Sequence, residues 1–383
     1  MVERFAERFT EVSQREGMAS TEERAPAIAP ATPRIPATTP HRCAPENSMG
    51  DSARVGGAAC RSSDPPRHGS MNAMTTPQIS IQLRTFRQDD PGSWAYLLDQ
   101  ARAADRAGID RIAVSDHVAF GEMLEAYSDP KKGGAAGGKQ PTDSDGNWLE
   151  PLTVLTAMGV VTERVRLGTA ILIAPLRTPL VLAKQAATID VLTNGRLDLG
   201  VGVGWQKEEY DASGLDYENR GRLLDHTLEV CQELWRNSVA NYSSPELTFE
   251  NIHQMPKPRQ AGGIPIWISG TVNKRVIRRL ADYGAGWIPW GPDGGDLPNA
   301  IPKLRAAVEV AGGDPSFQIQ GHAVPVRKSD GELDLAGTMA ASHLLIEAGV
   351  TDLRVTVNHP ESFEEALDVY SNLSAAFRSE FGD

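Results

Sequence analysis

From residue 78 onward the chain alternates between short apolar runs with strand character and longer runs with helical spacing, eight times over. QISIQL (78–83) leads into a helix over 90–108 that Gly108 ends. IDRIAVSDH (109–117) is followed by a long Gly-, Lys- and Asp-rich loop (121–147) and a helix over 149–163. VRLGTAILIA (165–174) precedes a helix over 178–195, with Pro near its start and Asn-Gly as its stop. RLDLGVGVG (196–204) precedes a helix over 217–236. The irregular stretch 237–262 is expected to be a small hairpin or loop outside the repeat. Four more pairs follow: 264–269 with 272–283, 284–290 with 297–312, 317–326 with 337–349, and 350–357 with 362–380. Strict alternation calls for a parallel sheet covered by helices. Eight units call for a closed (β/α)8 barrel, the TIM barrel. A doubly wound open sheet is the alternative, but it would need fewer strands.

A barrel of this kind gathers its ligands and catalytic groups at the carboxyl ends of the strands. In RLDLGVGVGW the glycines at 200, 202 and 204 resemble a dinucleotide loop at first sight, but Trp205 stands where G-x-G-x-x-G needs its last spacing, and the unit is the fourth rather than the first. Strand period explains them better. Leu197, Leu199, Val201 and Val203 share the helix-facing side, and Asp198, Gly200, Gly202 and Gly204 share the interior. Gly200 and Gly202 read as packing taper; Gly204, at the mouth, reads as room for a ligand. VSDH ends the second strand. His117 there can donate a proton near neutral pH, or merely bond a loop, and Asp116 can orient a ligand or cap a turn. Gly168, Thr169 and Ala170 are small, as tight strand packing also requires. Ser269, Gly270 and Thr271 open a helix, where a phosphate or an ordinary N-cap fits. Of the basic residues that follow, Lys274 or Arg275 could reach a phosphate. Trp205 and Trp290 fall at strand ends, where an indole can stack on a planar ligand, while Trp267 reads as core. Glu208 and Glu209 with Arg220 or Arg222 could serve as acid and base, but the expected role is a charge pair that locks the loop to the next helix.

Residues 1–73 differ from the rest: eight prolines, nine Arg against nine acidic residues, and no apolar period. Such a segment cannot offset its ordering entropy, and we expect a disordered extension. Met71 and Met74 sit just before the first strand, so the start codon itself is open to reassignment. The barrel domain is expected over 74–383 and carries the whole net charge of −12. An acidic domain is a poor nucleic-acid binder, and no run is long and apolar enough to span a bilayer. Cys231 is the one cysteine in the barrel and reads as a small buried hydrophobe, so neither a disulfide framework nor a metal site is expected. The expected location is cytoplasmic.

Taken together, RIAVSDHV, VRLGTAILIAPLRTPLVLAKQAATIDVLTNGRLDLGVGVGWQKEEY, RGRLLDHTLEVCQELW, KPRQAGGIPIWISGT and ADYGAGWIPW resemble the luciferase-like monooxygenase superfamily, nearest its F420-dependent oxidoreductase branch. The resemblance covers about residues 78–380. It implies a TIM barrel holding coenzyme F420, or FMN, at its mouth. It implies a non-proline cis peptide at Ala170–Ile171 behind the cofactor ring, and cofactor contacts from Asp116, Ile173, Val203 and Gly204. It implies a phosphate seat at Ser269, Gly270 and Thr271, and a proton-donating or cofactor-orienting His117. The sugar-phosphate dehydrogenases of this superfamily carry a catalytic Glu where Trp205 stands here, so an apolar wall for a hydrophobic substrate is expected in its place, with Trp290 beside it. The leading expectation is hydride transfer with F420 to or from a small organic substrate. The alternatives are a reduced-FMN monooxygenase fed by a separate flavin reductase, and a non-catalytic flavin-binding protein. A homodimer and a separate enzyme that recycles the cofactor are the expected partners.

Overall fold

The structure is a computed structural model, and it describes residues 76–132, 134 and 138–382. The expected N-terminal extension (1–73) and the reassignment of its start lie outside the described residues. Eight parallel strands close a barrel: β1 (Gln78–Gln82), β2 (Arg111–Val114), β3 (Arg166–Thr169), β4 (Leu197–Gly202), β5 (Ile266–Gly270), β6 (Gly284–Pro289), β7 (Gln318–His322) and β8 (Asp352–Arg354). Neighbours in sequence are neighbours in space, and closure runs from β8 to β1, with Ile79 opposite Leu353. β4 to β5 is equally tight, with Gly200 opposite Trp267. The open-sheet alternative is therefore excluded.

The helices are α1 (Tyr96–Ala107), α2 (Pro151–Val160), α3 (Pro179–Leu192), α4 (Lys207–Ala212), α5 (Arg220–Arg236), α6 (Lys274–Tyr283), α7 (Leu297–Val310), α8 (Leu335–Ala341), α9 (His343–Glu347) and α10 (Phe363–Phe381). Their ends follow local chemistry. Gly108 closes α1 in the left-handed region at φ 82°. Glu150 caps α2 by accepting from the Thr153 amide, ahead of Pro151. Asn194 and Gly195 stop α3 with φ of 56° and 82°. Ser362 caps α10 at the Glu365 amide.

The structure departs from the sequence reading in detail. The helix expected over 337–349 is broken at Ser342 into α8 and α9, and α4 was not foreseen. Strands expected over 317–326 and 350–357 are shorter. The stretch 237–262 does contain a hairpin, Ala240–Ser243 with Thr248–Ile252. In the loop after β2, Asn147–Trp148 pairs antiparallel with Phe86–Arg87.

Two cores result from the strand period. Between sheet and helices lie Ile79, Ile81, Ile112, Val114, Leu167, Leu197, Leu199, Val201, Ile266 and Ile268, all buried. Cys231 is buried in this core too, as expected. Burying this surface at about 25 cal/mol per Å² of apolar area is the main force holding helices to sheet. The barrel interior is polar at its lower end. Arg111 reaches Asp198 at 3.0 Å and also pairs with Asp352, and Arg166 reaches Asp198 at 2.5 Å. The Arg111 guanidinium lies 4.2 Å from the Trp267 ring centroid. Asp198 thus points inward, as its strand parity requires, and the interior below the mouth is filled.

Candidate functional site

Above that plug, a cavity of about 750 Å³ opens at the carboxyl ends of the strands. All eight strands supply lining residues at or just past their ends: Gln82, Asp116, Ala170, Gly202, Ser269, Pro289, His322 and Arg354 are examples. The residues expected to hold cofactor or substrate or to move a proton line this cavity: Asp116, His117, Ala170, Ile171, Ile173, Val203, Gly204, Trp205, Ser269, Gly270, Thr271 and Trp290.

The wall between β3 and β4 is built around glycines. The Ala170–Ile171 peptide is cis. Just beyond it, Leu172–Ile173 pairs with the end of β4, Leu172 opposite Val201 and Ile173 opposite Gly202. A Cβ on Gly200 would sit 2.0 Å from the Thr169 carbonyl oxygen, so this glycine is required by strand packing. A Cβ on Gly202 would lie 2.8 Å from Ile171 Cδ1. Gly204 has φ 67°, a left-handed conformation that alone favours glycine. The exit of β4 is pinned from behind: Tyr210 donates to the Val203 carbonyl at 2.5 Å, and Tyr217 to that of Trp205 at 2.8 Å.

Asp116 does not cap the turn after β2. Its carboxylate accepts from the Ile173 amide at 2.8 Å and from both guanidinium nitrogens of Arg177, at 2.6 and 3.0 Å. Burial pushes the carboxyl up, while Arg177 and the Ile173 amide pull it down. Two-pronged contact is the geometry of an ion pair, and we take the pair as ionised at neutral pH. Asp116 therefore ties the β2 exit to the segment after the cis peptide.

His117 lines the mouth with its imidazole set against a carboxylate. Its Nδ1 lies 3.1 Å from Glu209 Oε2, while Glu209 Oε1 accepts from the amides of Val118 (2.7 Å) and Ala119 (3.3 Å). Glu209 is buried, on α4. The expected pairing of the Glu208–Glu209 dipeptide with Arg220 or Arg222 does not occur. Arg222 pairs with Glu246, and Arg220 donates to the Tyr217 carbonyl at 2.9 Å. An ionised carboxylate only accepts, so Nδ1 carries a proton and Nε2 is the atom left to exchange one. Aromatic rings surround the imidazole: Phe120 at 4.4 Å, Trp148 at 4.9 Å and Trp205 at 5.7 Å between centroids. Trp205 is 5 % exposed and forms a wall rather than a surface group. Across the mouth, Tyr127 bridges Trp205 and Trp290, and burial raises its phenol pKa. The loop after β2 thus covers one side of the cavity.

At the β5 end, Asn273 caps α6 by accepting from the amides of Arg275 and Val276. Asp293 takes the Val272 amide. The ordinary cap is therefore present, and the positive character of this end comes from side chains. Arg275 and Arg220 line the cavity here, whereas Arg278 pairs outward with Asp282. Lys274 is not among the lining residues.

A flavin-type cofactor needs a flat apolar slot, polar groups for its ring edge and cations for its phosphate. The residues present fit. Gly202 and Gly204 leave the slot beside Ile171 and Ile173. Ser115 Oγ, Trp205 Nε1 and Arg220 Nε are buried without a hydrogen-bond partner, and all three residues line the cavity.

Among the lining residues not singled out in the sequence, two carry charge chemistry at strand ends. His322 closes β7 and Arg354 closes β8, and their side chains meet at 2.6 Å. Burial, then the neighbouring guanidinium, pushes the His322 imidazole down to about 3. Burial pushes Arg354 down to about 10. The sequence reading places both inside longer strands, 317–326 and 350–357, so the strand-end rule that finds His117 passes over them. Glu209 carried no such signal, because its partner lies 92 residues away in the chain.

Residues 75–334 match the luciferase-like monooxygenase family. The F420-dependent glucose-6-phosphate dehydrogenase of Mycolicibacterium gilvum is 27% identical over 283 residues, covering 71% of this chain and 76% of that protein. Among solved structures, monooxygenase RslO1 from Streptomyces bottropensis superposes with a TM-score of 0.60 at 17% identity, covering 78% of this chain and 99% of that one. The coenzyme F420-dependent tetrahydromethanopterin reductase of Methanopyrus kandleri gives 0.59 at 15% identity, over 80% and 99%. The two structures share the fold with this chain.

Proposed function

The chain belongs to the luciferase-like monooxygenase family, and from that premise we propose that it is an oxidoreductase using coenzyme F420 for hydride transfer to or from a small organic substrate with an apolar body. The observation that carries this reading is the His117–Glu209 pair, 3.1 Å apart, set behind a cavity to which every strand contributes. Oxidation of an alcohol, or reduction of a carbonyl, moves a proton together with the hydride, and such a pair suits that proton. The F420-dependent relative matching 71% of this chain supports the same choice of cofactor.

In this reading Ala170, Ile171, Ile173, Val203 and Gly204 hold the ring, with Asp116 keeping the Ile173 segment in place. Ser269, Gly270 and Thr271 seat the phosphate, and Arg275 and Arg220 neutralise it. Bound there, the deazaflavin supplies the carbon that accepts or delivers the hydride. Glu209 holds Nδ1–H of His117, and Nε2 gives or takes the substrate proton. Trp205 and Trp290 wall the substrate and exclude water. Val160, Leu180, Val181 and Leu192 are exposed on α2 and α3, and we assign the expected homodimer contact to these helices. A separate enzyme would recycle the cofactor.

A monooxygenase drawing reduced FMN from a separate reductase is the second reading, favoured by Trp205 standing where a cavity carboxylate would serve dehydrogenation. The direct test of His117 is a panel of alcohols and carbonyl compounds followed by deazaflavin absorbance, with His117→Asn beside the wild type. Loss of a positioned acid–base group costs about 10²–10⁴ in kcat. An Asn variant as fast as wild type would remove His117 from the chemistry, and a wild type inert toward the whole panel would favour the monooxygenase or a non-catalytic binder.

A further inference from the structure

Most guanidiniums around the barrel interior and mouth are spoken for. Arg111, Arg166, Arg177 and Arg279 each hold a carboxylate: Asp198, Asp198, Asp116 and Asp225. Arg354 does not. Among the described residues no carboxylate lies within ion-pair distance of it, its side-chain partner is His322 Nε2, and its Nη1 is buried with no hydrogen-bond partner. Asp352, two residues earlier on the same strand face, is committed to Arg111 and Ser80. Arg354 as a whole is half-buried, but an unpartnered guanidinium nitrogen buried against a cavity is costly and calls for an anion from outside the chain.

His322 adds to the same chemistry. Arginine only donates, so Nε2 of the imidazole must accept, and the proton of a neutral ring then sits on Nδ1 as a donor. Guanidinium and imidazole together present donors and no acceptor to the cavity. Their place also separates them from the phosphate seat: β8 lies beside β1, three strands from β5, and two from β2, which carries His117.

We propose that Arg354 and His322 form a subsite for an oxyanion, a carboxylate or phosphate, carried by the substrate. This rests on the reading above that the cavity is a substrate cavity, and it changes the expected substrate from apolar to an apolar or aromatic body bearing an acidic group. The Trp205 wall takes the body; the β7–β8 end takes the charge.

The test is calorimetric titration of the full chain with benzoate and with benzamide, its neutral analogue, at fixed ionic strength and pH 7.5. Wild-type protein should bind benzoate at least tenfold more tightly than benzamide, with inorganic phosphate displacing benzoate. Arg354→Gln should abolish the preference, Arg354→Lys should keep part of it, and F420 or FMN affinity should stay within twofold in both. Equal binding of benzoate and benzamide, no benzoate binding, or a preference that survives in Arg354→Gln would overturn the subsite. So would an Arg354→Gln protein that loses cofactor but keeps benzoate, because the site would then belong to the cofactor. If Arg354→Gln does not fold, the wild-type comparison still decides, and His322→Phe should cut benzoate affinity at least threefold. Benzoate preference without binding of either cofactor would sink the cofactor reading alone; cofactor binding without benzoate preference would sink the subsite alone.

Discussion

Replacing Glu209 by Gln isolates what its carboxylate does for His117. The wild-type side chain accepts three hydrogen bonds, from His117 Nδ1 at 3.1 Å and from the amides of Val118 and Ala119 at 2.7 and 3.3 Å. Gln keeps the shape, and its carbonyl can still serve both amides. Its NH2, however, would face Nδ1 and must donate. Nδ1 then has to accept, and the proton of the neutral ring moves to Nε2, the atom assigned to proton exchange, which can then no longer take one. A hydrogen bond to a charged group contributes roughly 1.5–3 kcal/mol, which is about one to two orders of magnitude in an equilibrium or a rate. Glu209→Gln should therefore invert the tautomer of His117, lower kcat by about ten- to a hundredfold, and cost no more than about 1 kcal/mol of stability. Glu209→Ala should behave otherwise. It removes the acceptor of the Val118 and Ala119 amides as well, so its urea midpoint should fall further than that of Glu209→Gln. Nitrogen-15 spectra of histidine-labelled protein read the tautomer without any substrate. A Glu209→Gln protein that still carries the proton on Nδ1 would refute this account of the pair.

Gly200→Ala puts a Cβ 2.0 Å from the Thr169 carbonyl, and backbone must move. Overpacking of that kind costs about 1–3 kcal/mol or more, whereas Gly295→Ala, with nothing within 4 Å, should stay within about 0.5 kcal/mol in urea denaturation; equal midpoints would contradict the packing assignment. Asp116→Asn breaks a buried ion pair and should cost about 3–5 kcal/mol; a loss under about 1 kcal/mol would show that Asp116 does not anchor the Ile173 segment. Burial lowers His359 to about 4. Unfolded, it takes up a proton near pH 6.5, so between about pH 6.5 and 4 the unfolded chain binds more protons and is favoured as pH falls. Tm should be fully developed above pH 7 and decline through that window, and a flat Tm from pH 7 to 5 would contradict the enclosure of this ring.

The barrel was legible because its two periods, helical and alternating, repeat eight times and leave few other ways to bury the apolar faces. The mouth was legible for the same reason, since strand ends fix where ligands go. What the sequence hid were pairings between distant strands and loops. Nothing local assigns Glu209 to His117 rather than to an arginine on the next helix, or Asp116 to Arg177. The split of the 337–349 helix at Ser342 also has no marker as plain as Gly or Pro. His322 and Arg354 lay inside strands expected to run to 326 and 357, and an arginine gains meaning only when its partners are counted; both require the fold.

The central claim is that this mouth holds a deazaflavin and His117 works beside it. Titration of the purified protein with F420 and with FMN, followed by quenching of tryptophan fluorescence from Trp205 and its neighbours, tests it most directly. Saturable binding of F420 at micromolar concentration, with FMN far weaker, is the predicted result. Micromolar FMN binding with no binding of F420 would contradict it.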